Sequence, residues 1–207
     1  MDIQFYGANC ARLSTKNAVV VADDNLKELG LKTVTRPQDI LLRTSPLMPV
    51  HPAAFSADMP GEYELADVSI QGIAARAHTD EQGKKSAVMY KITADDINVA
   101  VIGHVHPDLA DEQLEQLGTV DIMLVPVGGN GYTLDGVGAL KLIKAIEPKV
   151  VIPTHYAQKG IKYQVPQQEL GEALKAMSME PLETLDKFKP KSLEISDSTK
   201  LIVLNCQ

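Results

Sequence analysis

The sequence predicts an α/β fold in which helices lie outside two stacked sheets, a four-layer αββα sandwich. Strand patterns dominate the first half of its 207 residues, and helices alternate with strands in the second half. The strand count fits two stacked sheets better than one open sheet, and a doubly wound single sheet is the alternative. No repeat, low-complexity tract or linker divides the chain, so we expect a single domain over residues 1–207.

The first strands are predicted close to the start of the chain. Residues 3–14 and 18–22 have the pattern of an opening pair of strands, with Lys16 and Asn17 in the turn between them. Residues 39–42 are an apolar run typical of a buried strand. Further strands are predicted at residues 62–65, 68–77, 87–93 and 99–102.

Residues 44–60 are predicted to form a long loop. Prolines at positions 46, 49, 52 and 60 exclude a regular helix and disfavour a central strand. Loops usually lie in water, yet this one carries Leu47, Met48, Val50 and Phe55. We therefore expect these side chains to pack against the rest of the protein, and an exposed binding patch is the alternative.

Two further helices and a hairpin are predicted around the centre and the end of the chain. A short helix carries Leu114 and Leu117, with Asp108 or Asp111 as its N-cap and Gly118 as its end. A second helix is predicted over residues 166–177, where apolar residues recur at helical spacing. A closing hairpin is predicted from residues 193–195 and 201–204.

Residues 120–156 have the pattern of a complete strand, glycine loop, helix and strand unit. Residues 122–125 and 150–152 are apolar runs of the kind found in strands covered on both faces. The helix between them has one apolar stripe and ends at Pro148. His155 follows the second strand, where open α/β sheets place ligand chemistry. A histidine that is hydrogen-bonded within a turn is the alternative.

Composition narrows the class of function. The formal charge is −7 and the chain has no tryptophan, which argues against generic binding of nucleic acids or anionic membranes. No window is apolar enough to span a bilayer, and the N-terminus lacks the pattern of a signal peptide, so we expect a cytoplasmic protein. Cys10 and Cys206 have no CxxC spacing, and we interpret both as buried thiols.

The five histidines are the best candidates for chemistry, and they stand at positions 51, 78, 104, 106 and 155. His78, His104 and His155 each follow an apolar strand, where a site would be built from several strand ends. Each alone is typical of a structural or exposed histidine. Together they suggest a metal site, because zinc binds neutral imidazole and three histidines with one water form a catalytic set.

Four segments resemble the metallo-β-lactamase superfamily: GEYEL at 61–65, VDIMLVPVGG at 120–129, the YT that follows, and IPTHY at 152–156. Within it they are most similar to the branch of small stand-alone metal-dependent hydrolases that includes ascorbate-6-phosphate lactonase-like proteins. The resemblance implies an αββα fold with two zinc ions between the sheets. A metal-bound hydroxide in such proteins attacks esters, lactones, amides or phosphodiesters.

The defining HxHxDH motif of that superfamily is degenerate in this chain. The equivalent strand is residues 39–42, and counting forward from Asp39 places the motif on residues 45–50. The four ligand positions are occupied by Ser45, Leu47, Pro49 and Val50. Among these side chains, only the hydroxyl of serine could approach a metal ion.

The later ligand positions of the superfamily are better preserved. His78 matches its lone histidine after the glycine-rich strand pair, and His155 matches its last histidine. The Gly-Asp whose carboxylate bridges the two metals is replaced by Gly103 and His104. A carboxylate has two oxygens for two cations, whereas a neutral imidazole has one lone pair, so a two-zinc site is not expected.

One zinc ion is the form of metal binding that the resemblance leaves open. His78, His104 and His155 would converge if the fold is kept, and His106 is a substitute. The apolar residues at 45–50 argue against it, because burying a charge without compensating groups is costly. We expect no cofactor, with one zinc ion as the alternative, and we expect the loop of residues 44–60 to fill the former metal pocket.

The sequence leaves three functions open. The first is a divergent member of the superfamily that has lost binuclear hydrolase chemistry and serves as a binding or structural protein, through a small-molecule ligand or homo-oligomer contacts. The second is a mono-zinc hydrolase of an ester, lactone or phosphodiester that uses His78, His104 and His155. The third is metal-free chemistry, with His104 or His155 as a general base near Asp80 or Asp108.

Overall fold

Two β-sheets carry the fold in the computed structural model, which describes residues 1–190 and 198–207. These ranges contain thirteen strands and three helices. The first strands are β1 (Asp2–Gly7), β2 (Cys10–Ser14), β3 (Val19–Ala22), β4 (Ile40–Leu42), β5 (Phe55–Ala57), β6 (Gly61–Leu65), β7 (Val68–Ala75), β8 (Ala87–Ala94) and β9 (Ile97–Val101). They are followed by α1 (Asp111–Leu117), β10 (Ile122–Pro126), α2 (Gly136–Ile146), β11 (Val150–Thr154), α3 (Leu170–Met177), β12 (Pro181–Leu185) and β13 (Lys200–Leu204).

The strands divide into a five-stranded sheet and an eight-stranded sheet. The first has the order β1-β2-β3-β4-β5, and the second has the order β12-β13-β11-β10-β9-β8-β7-β6. In the second sheet, β6 to β9 pair antiparallel, whereas β9, β10, β11, β13 and β12 pair parallel. This mixed architecture confirms the predicted α/β class.

The main core lies between the two sheets and continues under the helices. Alternate residues of the first sheet, such as Phe5 and Leu13, join one buried cluster with residues of the second sheet. Leu142 of α2 belongs to the same cluster. The other face of the first sheet forms a small cluster around Val21 and Leu41, packed against apolar side chains of the connector 24–36. The outer layer on this side is therefore an irregular segment.

The opening strand pair of the sequence prediction is wrong in one respect, because residues 3–14 form two strands. The chain turns at Gly7 and Ala8, which have positive φ angles of 108° and 46°. β1 and β2 pair antiparallel on either side of this turn, with Gly7 opposite Cys10. Glycine tolerates such a backbone, and the apolar run on both sides of the turn conceals it in the sequence.

The loop of residues 44–60 contains the short strand β5, which the sequence analysis does not predict. Met48 is buried and Phe55 packs against the core, as expected for this apolar loop. Leu47 and Val50 are 74% and 69% exposed, so the expectation that they pack inside is wrong. β12 is a second strand without a sequence signal, because its residues are mostly exposed.

The helices lie where they are predicted, with differences at their ends. α1 follows Ala110, and the cap is completed by Gln113, whose Oε1 accepts the Ala110 N–H at 2.8 Å. The predicted caps Asp108 and Asp111 are therefore wrong. α3 begins at Leu170, four residues after the predicted start. The interpretation of both cysteines as buried holds for Cys10 and is wrong for Cys206, which is exposed.

The predicted unit of residues 120–156 is confirmed as β10, α2 and β11. β10 and β11 are buried at every position and pair in parallel from Ile122–Val150 to Pro126–Thr154. Asp135 caps α2 by accepting the N–H of Gly138 at 2.8 Å. This unit places the end of β10 and the end of β11 side by side.

The end of the chain joins the same sheet. β13 pairs in parallel with both β11 and β12. Residues 193–195, the predicted first strand of the closing hairpin, lie outside the described residues. No helix among the described residues is both long enough and apolar enough to cross a membrane.

Candidate functional site

Two of the three predicted site histidines meet at the carboxyl ends of parallel strands. β9 leads into His104 and β11 leads into His155. Their ring centroids lie 5.2 Å apart in an edge-on arrangement. Both side chains are buried, with 6% and 2% of their surface exposed. The strand pattern alone predicts this juxtaposition.

His78 reaches the same region through its backbone. Its N–H donates to the carbonyl of His104 at 2.7 Å, next to a bridge between Ala77 and Val105. The half-buried ring of His78 lies 5.9 Å from that of His106. His51 lies elsewhere, with its Nε2 2.6 Å from the carbonyl oxygen of Asp24.

His104 is held in one tautomer by Asn9. The hydroxyl of Thr154 donates to Asn9 Oδ1 at 2.9 Å. Asn9 Nδ2 therefore faces Nδ1 of His104, 3.3 Å away, and donates to it. The proton of the neutral ring then lies on Nε2, which is buried and has no hydrogen-bond partner.

His155 is held in the opposite tautomer by Gln167. The side-chain nitrogen of Gln167 donates to the carbonyl of Val165 at 2.7 Å, which turns its Oε1 toward His155 Nδ1 at 2.9 Å. Nδ1 therefore carries the proton and Nε2 keeps its lone pair. The backbone of His155 has a φ of 51°, and its N–H donates to the carbonyl of Ala8 at 2.6 Å.

Burial keeps both imidazoles neutral. It lowers the pKa of His104 to about 3, with further contributions from neighbouring His155 and His78. Burial also lowers the pKa of His155 to about 4, against the hydrogen bond that its Nδ1–H donates to Gln167 Oε1, which raises it. Both rings are uncharged at pH 7, so each has one N–H donor and one lone pair.

A buried acid completes the polar floor of the site. Asp23 is fully buried and accepts hydrogen bonds from the backbone N–H and the hydroxyl of Thr44. Burial raises the pKa of Asp23 to about 6, although these bonds oppose the shift. The side chain of Thr44 fills the space beside Gly103, where a Cβ atom would overlap it.

Two tyrosines pack on the histidines. The ring of Tyr132 lies 5.1 Å from that of His104 and 5.8 Å from that of His155. The ring of Tyr163 lies 5.3 Å from that of His155, and its hydroxyl donates to the carbonyl of Tyr156 at 2.9 Å. The site is thus a cluster of tilted and edge-on rings beside buried polar side chains.

The three histidines line three different cavities. His155 lines one of about 270 Å³, His104 one of about 180 Å³ and His78 one of about 310 Å³. Leu47 and Tyr132 border both of the first two cavities and form the wall between them. Each of the three histidine side chains is therefore reached from a different cavity.

Ser45, Leu47 and Met48 lie in the segment 45–50, on which the metal-binding motif is predicted to fall. Ser45 is buried, and its Oγ accepts the N–H of Leu47 at 3.2 Å. Met48 lines the His155 cavity, and Leu47 lines that cavity as well.

No set of three or more His, Cys, Asp or Glu side chains is arranged to hold a metal ion within residues 1–190 and 198–207. The predicted zinc site on His78, His104 and His155 stays a prediction. The acids named as partners of a general base are engaged elsewhere. Asp80 accepts two backbone N–H groups and the hydroxyl of Ser86, and Asp108 pairs with Lys141.

Sequence reasoning misses the residues that orient the two imidazoles: Asn9, Asp23, Thr44, Thr154 and Gln167. Most of them are short polar side chains beside apolar strands, where a turn or a cap is the ordinary explanation. A signal is present in the pair Asp23 and Asp24, since two acids that directly follow a buried strand are costly to bury without partners.

Comparisons with known proteins agree on the family. A family model described as the beta-lactamase superfamily domain matches residues 2–155. A solved structure from Thermotoga maritima, described as a Zn-dependent hydrolase of the metallo-beta-lactamase superfamily, is 25% identical with a TM-score of 0.77. That match covers 98% of this chain and 97% of the Thermotoga chain.

Two curated relatives match over shorter stretches. The UPF0173 metal-dependent hydrolase of Carboxydothermus hydrogenoformans is 49% identical over 43 residues, which are 21% of this chain and 19% of the relative. The UPF0173 metal-dependent hydrolase Ta0764 of Thermoplasma acidophilum is 44% identical over 48 residues, 22% of this chain and 21% of the relative. These stretches span about a fifth of each relative. Because the family model covers most of its length, the chain belongs to the beta-lactamase superfamily.

Proposed function

We propose that this protein keeps the fold of its superfamily without binuclear hydrolase chemistry and binds a small molecule in the cavity beside His155. The observation that carries the proposal is the hydrogen bond from Asn9 to Nδ1 of His104. That bond occupies the one lone pair of the imidazole that stands in place of the metal-bridging carboxylate.

The donor set does not fit two zinc ions. The motif positions at 45–50 offer one hydroxyl, that of Ser45, which is engaged with the backbone of Leu47. His104 has its lone pair toward Asn9 and a proton on its other nitrogen. Two buried cations would then lack the anionic ligands that offset their loss of hydration.

The cavity beside His155 suits a small ligand. It lies at the carboxyl ends of parallel strands, where α/β proteins place their ligands. Its lining combines apolar side chains such as Leu29 and Met48 with aromatic rings and a few polar groups. Ligand pockets commonly have this composition.

Metal analysis of the untagged protein, purified with zinc available, tests the loss of the metal site. We expect far less than one zinc ion per chain. In ¹⁵N spectra at pH 7, His104 should be protonated at Nε2 and His155 at Nδ1, and added zinc should leave both signals in place. Stoichiometric zinc would overturn the first half of the proposal.

The second candidate is a mono-zinc hydrolase that uses His78, His104 and His155. Its support is the lone pair of His155 Nε2, together with the buried Nδ1 of His78, which has no hydrogen-bond partner among the described residues. Zinc should then raise the melting temperature, and His155→Ala should abolish that rise. An unchanged melting temperature in the presence of zinc favours the binding protein.

A further inference from the structure

The cavity beside His155 contains acceptors and aromatic rings but no basic side chain among the described residues that line it. Glu28 is the one acidic side chain of this lining. Burial raises the pKa of Tyr132, and the negative charges of Asp23 and Glu28 raise it further. The negative charges of Asp23 and Glu28 therefore both act on Tyr132, which forms one wall of the cavity.

Two acceptors of this lining have no hydrogen-bond partner among the described residues. Oδ1 of Asn25 is buried without a hydrogen bond, and the residue is 9% exposed. His155 keeps a lone pair on Nε2, because its proton lies on Nδ1, which donates a hydrogen bond to Gln167 Oε1. An unpaired buried acceptor costs free energy, so a ligand with N–H donors is favoured here.

Aromatic rings supply a second feature that suits a cation. The rings of Tyr132 and Tyr163 both lie close to that of His155, with centroids 5.8 and 5.3 Å away. The hydroxyl of Tyr163 is already bonded to the carbonyl of Tyr156, which fixes its ring. Cations are attracted to aromatic faces within about 6 Å of the ring centre, and more strongly where water is excluded.

Apolar contacts and volume limit the body of the ligand. Leu29, Met48 and Val165 line the cavity beside the polar groups. Its volume of about 270 Å³ is near the lower end of the range for ligand pockets, about 300–1,000 Å³. A compact apolar body with one polar head matches these walls.

We infer that the cavity beside His155 is a binding site for a small organic amine in its ammonium form. The head group would donate to Asn25 Oδ1 and pair with Glu28, and its apolar body would lie against Tyr132, Tyr163 and Met48. The inference rests on the proposed binding function and adds the chemical class of the ligand.

Binding of three matched probes tests the inference on the full chain in a chelator-containing buffer. The probes are phenethylamine, 2-phenylethanol and phenylacetate, which share one ring and differ in the charge of the head group. We expect phenethylamine to bind about tenfold tighter than the alcohol, and phenylacetate to bind weakest. The Glu28 carboxylate attracts the ammonium group of phenethylamine and repels the carboxylate of phenylacetate. Calorimetry gives the affinities, and NMR locates each probe through the His155 and Tyr163 signals.

Two variants distinguish the effect of the Glu28 carboxylate from the effect of the net negative charge of the protein. Glu28→Gln should weaken phenethylamine about fivefold and leave 2-phenylethanol unchanged. Glu112→Gln, at an exposed position of α1 outside the lining, removes the same charge and should change neither affinity. Thermal melts of both variants check that they fold like the wild type.

The outcomes distinguish this inference from the function on which it rests. If 2-phenylethanol or phenylacetate binds beside His155 as tightly as the amine, the cation inference is overturned and the binding function stands. Equal effects of Glu28→Gln and Glu112→Gln also overturn it. If no probe of any charge binds in the cavity, both the inference and the binding function fail.

Discussion

At the residue scale, the site is defined by two neutral imidazoles in opposite tautomers. His104 accepts a hydrogen bond through Nδ1, and His155 donates one through the same atom. Their positions at strand ends are predictable from the apolar runs that precede them. Their tautomers are not, because the partners Asn9 and Gln167 lie 95 and 12 residues away in sequence. Only the fold reveals which nitrogen keeps its lone pair.

Asn9 should be among the most sensitive polar residues of the protein. Asn9→Ala leaves His104 Nδ1 and the hydroxyl of Thr154 each without one partner in the interior. We expect a loss of about 2–3 kcal/mol in the free energy of unfolding, measured by urea denaturation. Asn17→Ala, which removes an exposed bond to Asp67, should cost less than about 0.5 kcal/mol. Equal losses in the two variants would contradict the buried network.

At the element scale, helix boundaries are where sequence and structure differ most. The apolar stripe of α2 is readable from residue 139 onward, but the helix begins at Gly136. A glycine in the first turn carries no helix signal, since its propensity is low. The reason for Gly136 is tertiary: a Cβ there would overlap the carbonyl of Ala173 in α3. A local pattern cannot contain that contact.

Two glycine replacements in neighbouring helices should have opposite signs. Gly171→Ala in α3 meets open space, so the lower entropy of the unfolded chain should stabilise the protein by about 0.5–1 kcal/mol. Gly136→Ala in α2 gains the same propensity, but it must push α3 away and should destabilise by about 1–3 kcal/mol. Thermal and urea unfolding of both variants give the comparison. Stabilisation by Gly136→Ala would show that the α2–α3 contact is looser than described.

At the scale of the whole molecule, the two stacked sheets are predictable from the sequence, but the segment that packs on the outer face of the first sheet is not. Its outer face packs against the connector 24–36, which has no amphipathic repeat. Asp24 holds this segment by accepting hydrogen bonds from the hydroxyls of Thr33 and Thr35 and from the N–H groups of Val34 and Thr35. These bonds lower the pKa of Asp24, although burial opposes the shift. The hydrogen bonds to Asp24 therefore order this segment, as backbone hydrogen bonds would order a helix.

The buried titratable groups should make the whole molecule less stable in mild acid. His104 and His155 have folded pKa values of about 3 and about 4, below their ordinary value of 6.5. The unfolded chain therefore binds two more protons than the folded chain as the pH falls from 6.5 toward 4, and stability is lost over that range. Asp23 opposes them, because its folded pKa of about 6 lets the folded state bind a proton first.

For His104, His155 and Asp23, the balance near pH 5 is two protons gained by the unfolded chain against one gained by the folded chain. The lowered pKa of His78 acts in the same direction as those of the other two histidines. One unmatched proton corresponds to a slope of about 1.4 kcal/mol per pH unit, so urea denaturation in a chelating buffer should show stability falling by about that amount between pH 6 and pH 5. Asp23→Asn removes the opposing proton. Its slope should approach twice the wild-type value whatever its stability at pH 7. A flat profile in the wild type would mean that the histidines are already solvated and that the polar floor of the site is open to water. An unchanged slope in the variant would mean that Asp23 takes up no extra proton in the folded chain.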